Sequence, residues 1–465
     1  MMRHASALLC ALALGACSMI PDYEPPVVEA AESWINAGAE IEARQAEPPP
    51  ADWWRAFGNE ELARLVARAQ ANSPDLAAAT ARVAQASATR RAAASTLLPS
   101  IGGSASGSRS GQDFDTFGTS ADRVSWRGVI DASYEIDFWG RNRAGAIAAE
   151  ASELASAFDR DTVLLSLSAE VAATWLQYLA IEDRIDVAQA NLDNARIVLE
   201  LIETRVDLGA VSPLELAQQR STIAGIEASL SELRQQRAQT LNALALLLGE
   251  PPGEIAVASE GLSAVRLPVV QPGLPSELLT RRPDIARAEA QLLAANADIG
   301  AARAAYFPSI GLTGQAGFGS TALASLFEPA SALYTLAGSI TAPIFSGGRL
   351  DAEYDRARAR YDELVANYRG AVLAGFRDVE DALAAARYLA EVEAAQQEAA
   401  TQAAEAFRLA ETQYRAGAVD FLTVLDAQRS LFSAEDALVR ARLARLDAAV
   451  SLYRALGGGW SDPRR

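Results

Sequence analysis

Residues 73–76 read SPDL and residues 282–285 read RPDI; residues 99–101 and 308–310 both read PSI; residues 140–141 and 348–349 both read GR; residues 209–211 and 417–419 both read GAV. The first two pairs stand 209 apart and the last two 208 apart. Four landmarks in one order, drifting by a single residue, mean that the chain holds two copies of one design, roughly 60–250 and 270–460. A period this long is no solenoid. The 465 residues, which by length alone suggest about three domains, then describe a single design written twice.

Within each copy the hydrophobic period changes. Pro74 or Pro283 sits where a first helical turn tolerates it, with Asp75 or Asp284 beside it favouring the N-terminal dipole, and Pro99 or Pro308 ends the helix. Strands follow, expected at about 100–112 and 124–138 and again at about 309–320 and 333–344. Trp126, Gly128, Ile130, Ala132, Tyr134 and Ile136 alternate with Arg127, Val129, Asp131, Ser133, Glu135 and Asp137, which gives one apolar and one polar face. The next stretch, about 143–208, has no Pro and repeats apolar residues at three and four; as a helix it is about 100 Å long. A tight turn at Gly209–Pro213 leads into a returning helix to about 248, and the second copy repeats this with 349–416 and 420–456 around Gly417. The fold class is therefore mainly α with a β part, in two tandem repeats of helix, β-hairpin, long helix and helix.

Two hairpins offer four amphipathic strands. Strands that span lipid must pair every backbone group, so they close into barrels, and bacterial barrels begin at eight strands. Four strands call for an oligomer: two chains supply eight and three supply twelve, and the strand count does not choose. The apolar face with Trp126, Tyr134, Phe138 and Tyr334 would meet lipid, and Asp131, Glu135 and Asp137 would line a wet interior. A soluble sandwich shows the same alternation, but here the hairpins lie far apart in the chain between very long helices.

Composition narrows the chemistry. There is one His, two Cys and no Lys, and His4, Cys10 and Cys17 all fall within the first 17 residues. Thiol or imidazole catalysis, Cys/His zinc sites and Lys chemistry are excluded from the body of the chain, and no cofactor is implied. A net charge of −18 argues against nucleic acid as a partner. Residues 1–16 hold one charge, Arg3, and an apolar run from Ala7 to Leu14, too short to span a bilayer and suited to an export signal. Leu14-Gly15-Ala16-Cys17 matches a bacterial lipobox, which would leave Cys17 as a lipidated N-terminus. Residues 17–59, with PDYEPP and EPPPAD, are expected to form an extended strap leaving that anchor.

These residues resemble the TolC/OprM-type outer-membrane efflux channels, in particular the lipid-anchored OprM-like branch. The resemblance rests on Pro21-Asp22-Tyr23 after the lipobox, Trp53-Trp54, RRPDI at 281–285, YFPSI at 306–310, LTVLDAQRSLFSAE at 422–435 and LYRALGGGW at 452–460. It implies a homotrimer whose twelve-stranded β-barrel in the outer membrane continues into a twelve-helix α-barrel in the periplasm, anchored in outer-membrane lipid. It also implies a passive exit duct for small molecules, joined by a periplasmic adaptor to an inner-membrane pump of the resistance-nodulation-division type, and no enzyme. By resemblance, Leu422 and Asp426 form the periplasmic gate, four apart on one helix face. Three carboxylates meeting on an axis repel one another and favour either a raised pKa or a bound cation. Tyr414 and Glu215 correspond to an inter-helix hydrogen bond that holds the tip shut, Arg415 to a tip arginine, and the turns with Leu208, Gly209, Ala210, Gly417 and Ala418 to the adaptor contact. The same architecture serves as the exit channel of a type I protein secretion system. A pore-free structural coiled-coil lipoprotein is the reading from another class, and the alternating strands speak against it.

Overall fold

The computed structural model describes residues 19–36, 48–114, 119–253, 255–258 and 260–464. The expected signal segment and Cys17 lie outside the described residues. The first copy comprises α1 (Glu60–Asn72), α2 (Pro74–Ser95), β1 (Ser100–Phe114), β2 (Thr119–Ile136), α3 (Arg141–Asp207) and α4 (Pro213–Leu248). The second comprises α5 (Pro283–Ala304), β3 (Ser309–Ser320), β4 (Ala332–Thr341), α6 (Arg349–Arg415) and α7 (Phe421–Ala455). Helix, hairpin, long helix and helix thus occur twice, and the long helix has 67 residues each time.

Local chemistry sets the boundaries. At α4 the Ser212 hydroxyl accepts from Leu214 N at 3.2 Å ahead of Pro213 in the first turn. Two strand ends differ from the sequence expectation for identifiable reasons. β2 stops at Ile136 rather than 138 because Asp137 leaves the ladder to cap α3, accepting from Asn142 N at 2.9 Å and Arg143 N at 2.8 Å. β4 stops at Thr341 rather than 344, just ahead of Pro343, which has no N–H to contribute. The other end of β2 runs out to Thr119, still paired with Phe114 of β1. Helix α1 was not foreseen; Asn59 caps it by accepting from Glu61 N at 2.9 Å and Leu62 N at 3.2 Å.

The chain divides into two compact units, one built on Arg82–Ala157 and Arg287–Arg369 and the other on Val28–Ala81, Phe158–Ala286 and Gly370 onward. The first unit holds a four-stranded antiparallel sheet in the order β1-β2-β3-β4. Its register brings Ile101, Ile130, Tyr134, Leu312, Leu336 and Ile340 onto one face, with Tyr334 and Leu336 more than four-fifths exposed. The opposite face carries Ser104, Arg127, Asp131, Gln315 and Thr335, with Ser100 and Ser133 hydroxyls 2.7 Å apart across the strands. β1 and β4 are open edges. Beyond the strands, Trp139 stacks on Phe307 with ring centres 4.5 Å apart, donates Nε1 to Pro308 O at 2.9 Å and meets Phe138 edge-on. Phe138 therefore belongs to a rim of aromatics rather than to the strand.

In the second unit, Trp53, Phe57, Leu62 and Leu65 pack with Val171, Trp175, Leu176, Leu244, Leu248 and Tyr453 in one buried cluster, and Trp53 stacks on Tyr453 at 5.1 Å. One window of α3 is long and apolar enough to cross a bilayer, but 61% of it is buried inside the protein, so it is core. The Arg282 guanidinium, buried, binds Asp284 through two bonds of 3.0 and 2.7 Å and Ala455 O at 3.1 Å, tying the start of α5 to the end of α7. Immediately after, Gly457 takes φ +88°, and a Cβ there would stand 1.9 Å from Arg281 O. Gly457→Ala is expected to cost upwards of about 2 kcal/mol, read as a lower unfolding midpoint of the purified protein.

Among the described residues, one buried carboxylate oxygen here has no partner. Asp447 on α7 lines a cavity with Thr162, Ser166 and Asp381, and no donor among the described residues reaches its Oδ1. Burial pushes its carboxyl up from 3.8 to about 7. The native state then holds a proton that the unfolded chain has released, so stability falls as pH rises from about 3.8 to about 7. Asp447→Asn is expected to flatten that part of the stability profile and to raise the unfolding midpoint at pH 8, measured by thermal unfolding across pH.

Candidate functional site

The second unit contains both helix-to-helix turns, and they are built alike. Gly209 and Gly417 stand at φ +70° and +73°, and a Cβ on either would meet nothing within 4 Å. Backbone conformation, and not crowding, therefore selects glycine. After Gly209, Ala210 N donates to Arg205 O at 2.8 Å; after Gly417, Ala418 N donates to Gln413 O at 2.8 Å. These bonds take up carbonyls that the helix ends leave without partners. The next helix starts on a side-chain cap each time, Ser212 for α4 and Asp420 for α7, where Asp420 accepts from Thr423 N at 3.0 Å. Leu208, Gly209, Ala210, Gly417 and Ala418 are all exposed.

Beside the turns, side chains join the first hairpin to the second. Tyr414, buried near the end of α6, donates its hydroxyl to Glu215 Oε2 on α4 at 2.8 Å. Burial, and then the bond to Glu215, push its pKa up to about 12, so the phenol keeps its proton throughout the physiological range. Arg205 of α3 lays its guanidinium over the Tyr414 ring, 4.6 Å from the centroid, and donates Nη2 to Tyr414 O and Arg415 O at 3.0 Å each. A cation on the last carbonyls of α6 also meets the negative end of the helix dipole. Beneath these contacts Val198, Ile202, Phe407, Ala410, Phe421, Val424 and Leu425 form a buried cluster drawn from three helices.

The structure thus brings Tyr414 and Glu215 together and leaves Arg415 elsewhere. The Arg415 guanidinium binds Glu411 of its own helix at 2.5 Å and makes no inter-helix hydrogen bond among the described residues. Beside the turns, the arginine that crosses between the hairpins is Arg205. A basic residue in the last turn of a long helix, one turn before a Gly-Ala-Val turn, was the available signal for it. Leu422 is 57% exposed, and Asp426 is exposed one turn further along α7, where both line a shallow groove with Ala406, Ala410 and Arg429. Among the described residues no group of three or more His, Cys, Asp or Glu is placed to hold a metal ion. The tip is a set of contacts between hairpins, with exposed side chains beside them.

Replacing Tyr414 by Phe removes the bond to Glu215 and keeps the ring under Arg205. Backbone amides of 205–216 and 411–424 are then expected to exchange with deuterium several-fold faster, consistent with loss of about 1 kcal/mol, while those of the Trp53 cluster stay protected. Equal rates at the tip in both proteins would remove this bond from the list of contacts that hold it.

Residues 65–250 and 274–458 each match the family model described as outer membrane efflux protein. The chain is similar to the pyoverdine export outer membrane protein OpmQ of Pseudomonas aeruginosa, 42% identical over 100% of this chain and 98% of that one. It is also similar to the outer membrane protein OprJ of the same organism, 37% identical over 99% of this chain and 96% of that one. Among solved structures, the open state of the Neisseria gonorrhoeae MtrE outer membrane channel superposes with a TM-score of 0.86 at 34% identity, covering 95% of this chain and 98% of the other.

Proposed function

The chain belongs to the outer membrane efflux protein family, and on that footing we propose that it is the passive exit duct of a tripartite small-molecule efflux system. The observation that carries this reading is the sheet. One face is apolar and exposed, the other polar, and β1 and β4 end with unpaired backbone. An exposed apolar sheet face suits lipid, and open edges in lipid have to be closed. Three copies, each joining its β1 to the next copy's β4, give twelve strands and enclose the Ser, Thr, Gln and Asp side chains around water. The aromatic rim of Phe138, Trp139 and Phe307 suits the interface between hydrocarbon and water.

The helical hairpins carry the remaining roles. The turns at Leu208, Gly209, Ala210, Gly417 and Ala418 are exposed and small, and they suit end-on contact with a periplasmic adaptor, which links the duct to an inner-membrane pump of the resistance-nodulation-division type. Leu422 and Asp426 serve as the gate, one apolar ring above one acidic ring in the trimer, where the carboxylates attract a cation. The Tyr414–Glu215 bond and the Arg205 contacts hold the gate shut. Cys17 carries the lipid that fixes the N-terminus in the outer membrane, and the strap after it leads back to the body. The names of relatives concern small molecules, pyoverdine export for OpmQ and toluene efflux for a Pseudomonas putida protein 35% identical, so the cargo here is taken to be small rather than a secreted polypeptide.

Reconstituted in planar bilayers, the wild-type protein is expected to conduct poorly, and the pair Leu422→Ser with Asp426→Ser to conduct at least about ten-fold more, a barrier change of about 1.4 kcal/mol. A current unchanged by the pair would take the gate away from these two residues. Deleting the gene is expected to raise susceptibility to dyes, detergents or antibiotics, which tests the efflux role apart from the gate.

A further inference from the structure

One helix of the repeat departs from its counterpart at two positions, and another part of the chain lies against it there. The landmarks on either side of α2 and α5, SPDL with RPDI and PSI with PSI, both stand 209 apart, so the two helices align residue for residue. Gly300 of α5 then answers to Arg91 of α2, and Asn296 to Ser87. On α2 the pair keeps to its own helix: Arg91 is exposed and donates Nη1 to Ser87 Oγ at 3.4 Å. On α5 the pair meets the start of the strap. A Cβ on Gly300 would stand 2.7 Å from Ile20 Cα and 3.0 Å from Ile20 N, so strap backbone lies directly on the glycine. Asn296, 6% exposed, donates Nδ2 to Pro21 O at 2.8 Å.

Both contacts are of a kind that a loose tether does not make. A glycine inside a helix weakens it, and what Gly300 gives in return is room for a second backbone. Pro21 has no N–H, so its carbonyl is its one backbone polar group, and a buried amide meets it. The contacts also give the strap a direction. Ile20 lies at residue 300 and Pro21 at residue 296, so the strap descends α5 from its C-terminal end, and the residues before Ile20 lead the other way, towards Ala304 and the start of β3 at Ser309. From Gly300 to the end of α5 is about 6 Å of helix, and Phe307 of the aromatic rim follows. Strap start, helix and sheet all belong to one compact unit.

We propose that Gly300 and Asn296 form a seat on α5 for the strap, and that this seat fixes the level at which the lipid on Cys17 meets the membrane. The proposal rests on the reading of Cys17 as the lipid site and of the sheet as the part within the membrane. Cys17 comes three residues before Ile20, so it stands no more than about 11 Å from the seat. The seat thus makes the strap a post of set length beside the rim, and the acyl chains enter lipid next to the sheet without the chain having to be ordered by the membrane. The first copy, with Arg91 in place of glycine, has no such seat.

The test asks whether the seat holds the strap where no lipid does. A full-length chain with Cys17→Ala, exported by an ordinary cleavable signal, carries a donor dye at Met19→Cys, its sole cysteine, in phospholipid vesicles with an acceptor dye on the headgroups. Efficient energy transfer is expected, and a loss of it when Gly300→Leu or Asn296→Ala is added. Chymotrypsin is expected to cut after Tyr23 about five-fold faster in both seat variants. Arg91→Ala, at the matching place on α2, is expected to change neither reading. Asn296→Ala, which only deletes a side chain, serves if Gly300→Leu does not assemble. Transfer and cleavage equal to the parent's in both seat variants overturn the proposal. If the seat variants lose transfer while the wild-type chain takes up no labelled palmitate, the seat stands and the lipid reading of Cys17 falls.

Discussion

A peptide group in hydrocarbon has no water to bond with, and each one left unpaired costs several kcal/mol. A sheet with an apolar, outward face and two open edges, such as β1-β2-β3-β4, is therefore a fragment of something closed. Much else in the chain answers to that constraint. The repeat supplies two hairpins rather than one, so that each copy of the chain adds four strands to the ring. Asp137, just past its strand, accepts from two amides in the first turn of α3, so the carboxylate ties the end of the ladder to the start of the rod. In the second copy Pro343 ends the ladder by withholding a donor, and Arg349 then opens α6.

The two copies share a plan and diverge where they meet other parts. Gly209 and Gly417 make the same turn with the same pair of backbone bonds, because only the left-handed conformation lets the chain reverse there. Their neighbours differ: Ser212 becomes Asp420 as the helix cap, and Glu215 becomes an acceptor for a tyrosine that the first hairpin lacks. A duct made of identical hairpins would have no reason to favour one arrangement of its tip. Asymmetric contacts, with Arg205 of the first hairpin on the carbonyls of the second, give the pair a defined relation. The charge pattern follows the same division. With arginine as its sole basic residue besides His4, the chain can form forked bonds to carboxylates and carbonyls alike, as Arg282 and Arg205 do.

How far residues alone carry such a reading depends on the range of the forces involved. Helix ends came out within a few residues from the sequence because proline, glycine and capping side chains act on their nearest neighbours: Pro213 opens α4, and Gly417 follows the last turn of α6. The alternation of Tyr134, Leu312 and Tyr334 with polar neighbours likewise sorted the faces of the sheet before any pairing was known. Long-range choices were harder. The bond from Tyr414 to Glu215 crosses 199 residues of chain and was expected only through resemblance to a family; the contact of Arg205 with Arg415 O crosses 210 and was not expected at all. Helix α1 is the exception in the other direction, since Asn59 followed by Glu60 and Glu61 and the apolar spacing of Leu62, Leu65, Val66 and Ala69 were local signals that went unread.

The buried polar groups that have no partner follow from the same economy of form. A polar group buried between helices stays unpaired where no donor or acceptor of the neighbouring helices reaches it. Asp447 and Gln428 are both on α7, and both are unsatisfied. An apolar residue of like volume at either place would serve a rigid rod better. Each therefore marks a place where α7 is held with less than the best fit, one through a carboxyl that takes up a proton near neutrality and the other through a buried amide without a partner among the described residues. A few residues after Asp447 on α7, Tyr453 stacks on Trp53 in the buried cluster, so the unsatisfied carboxyl sits at the end of the helix that the core holds.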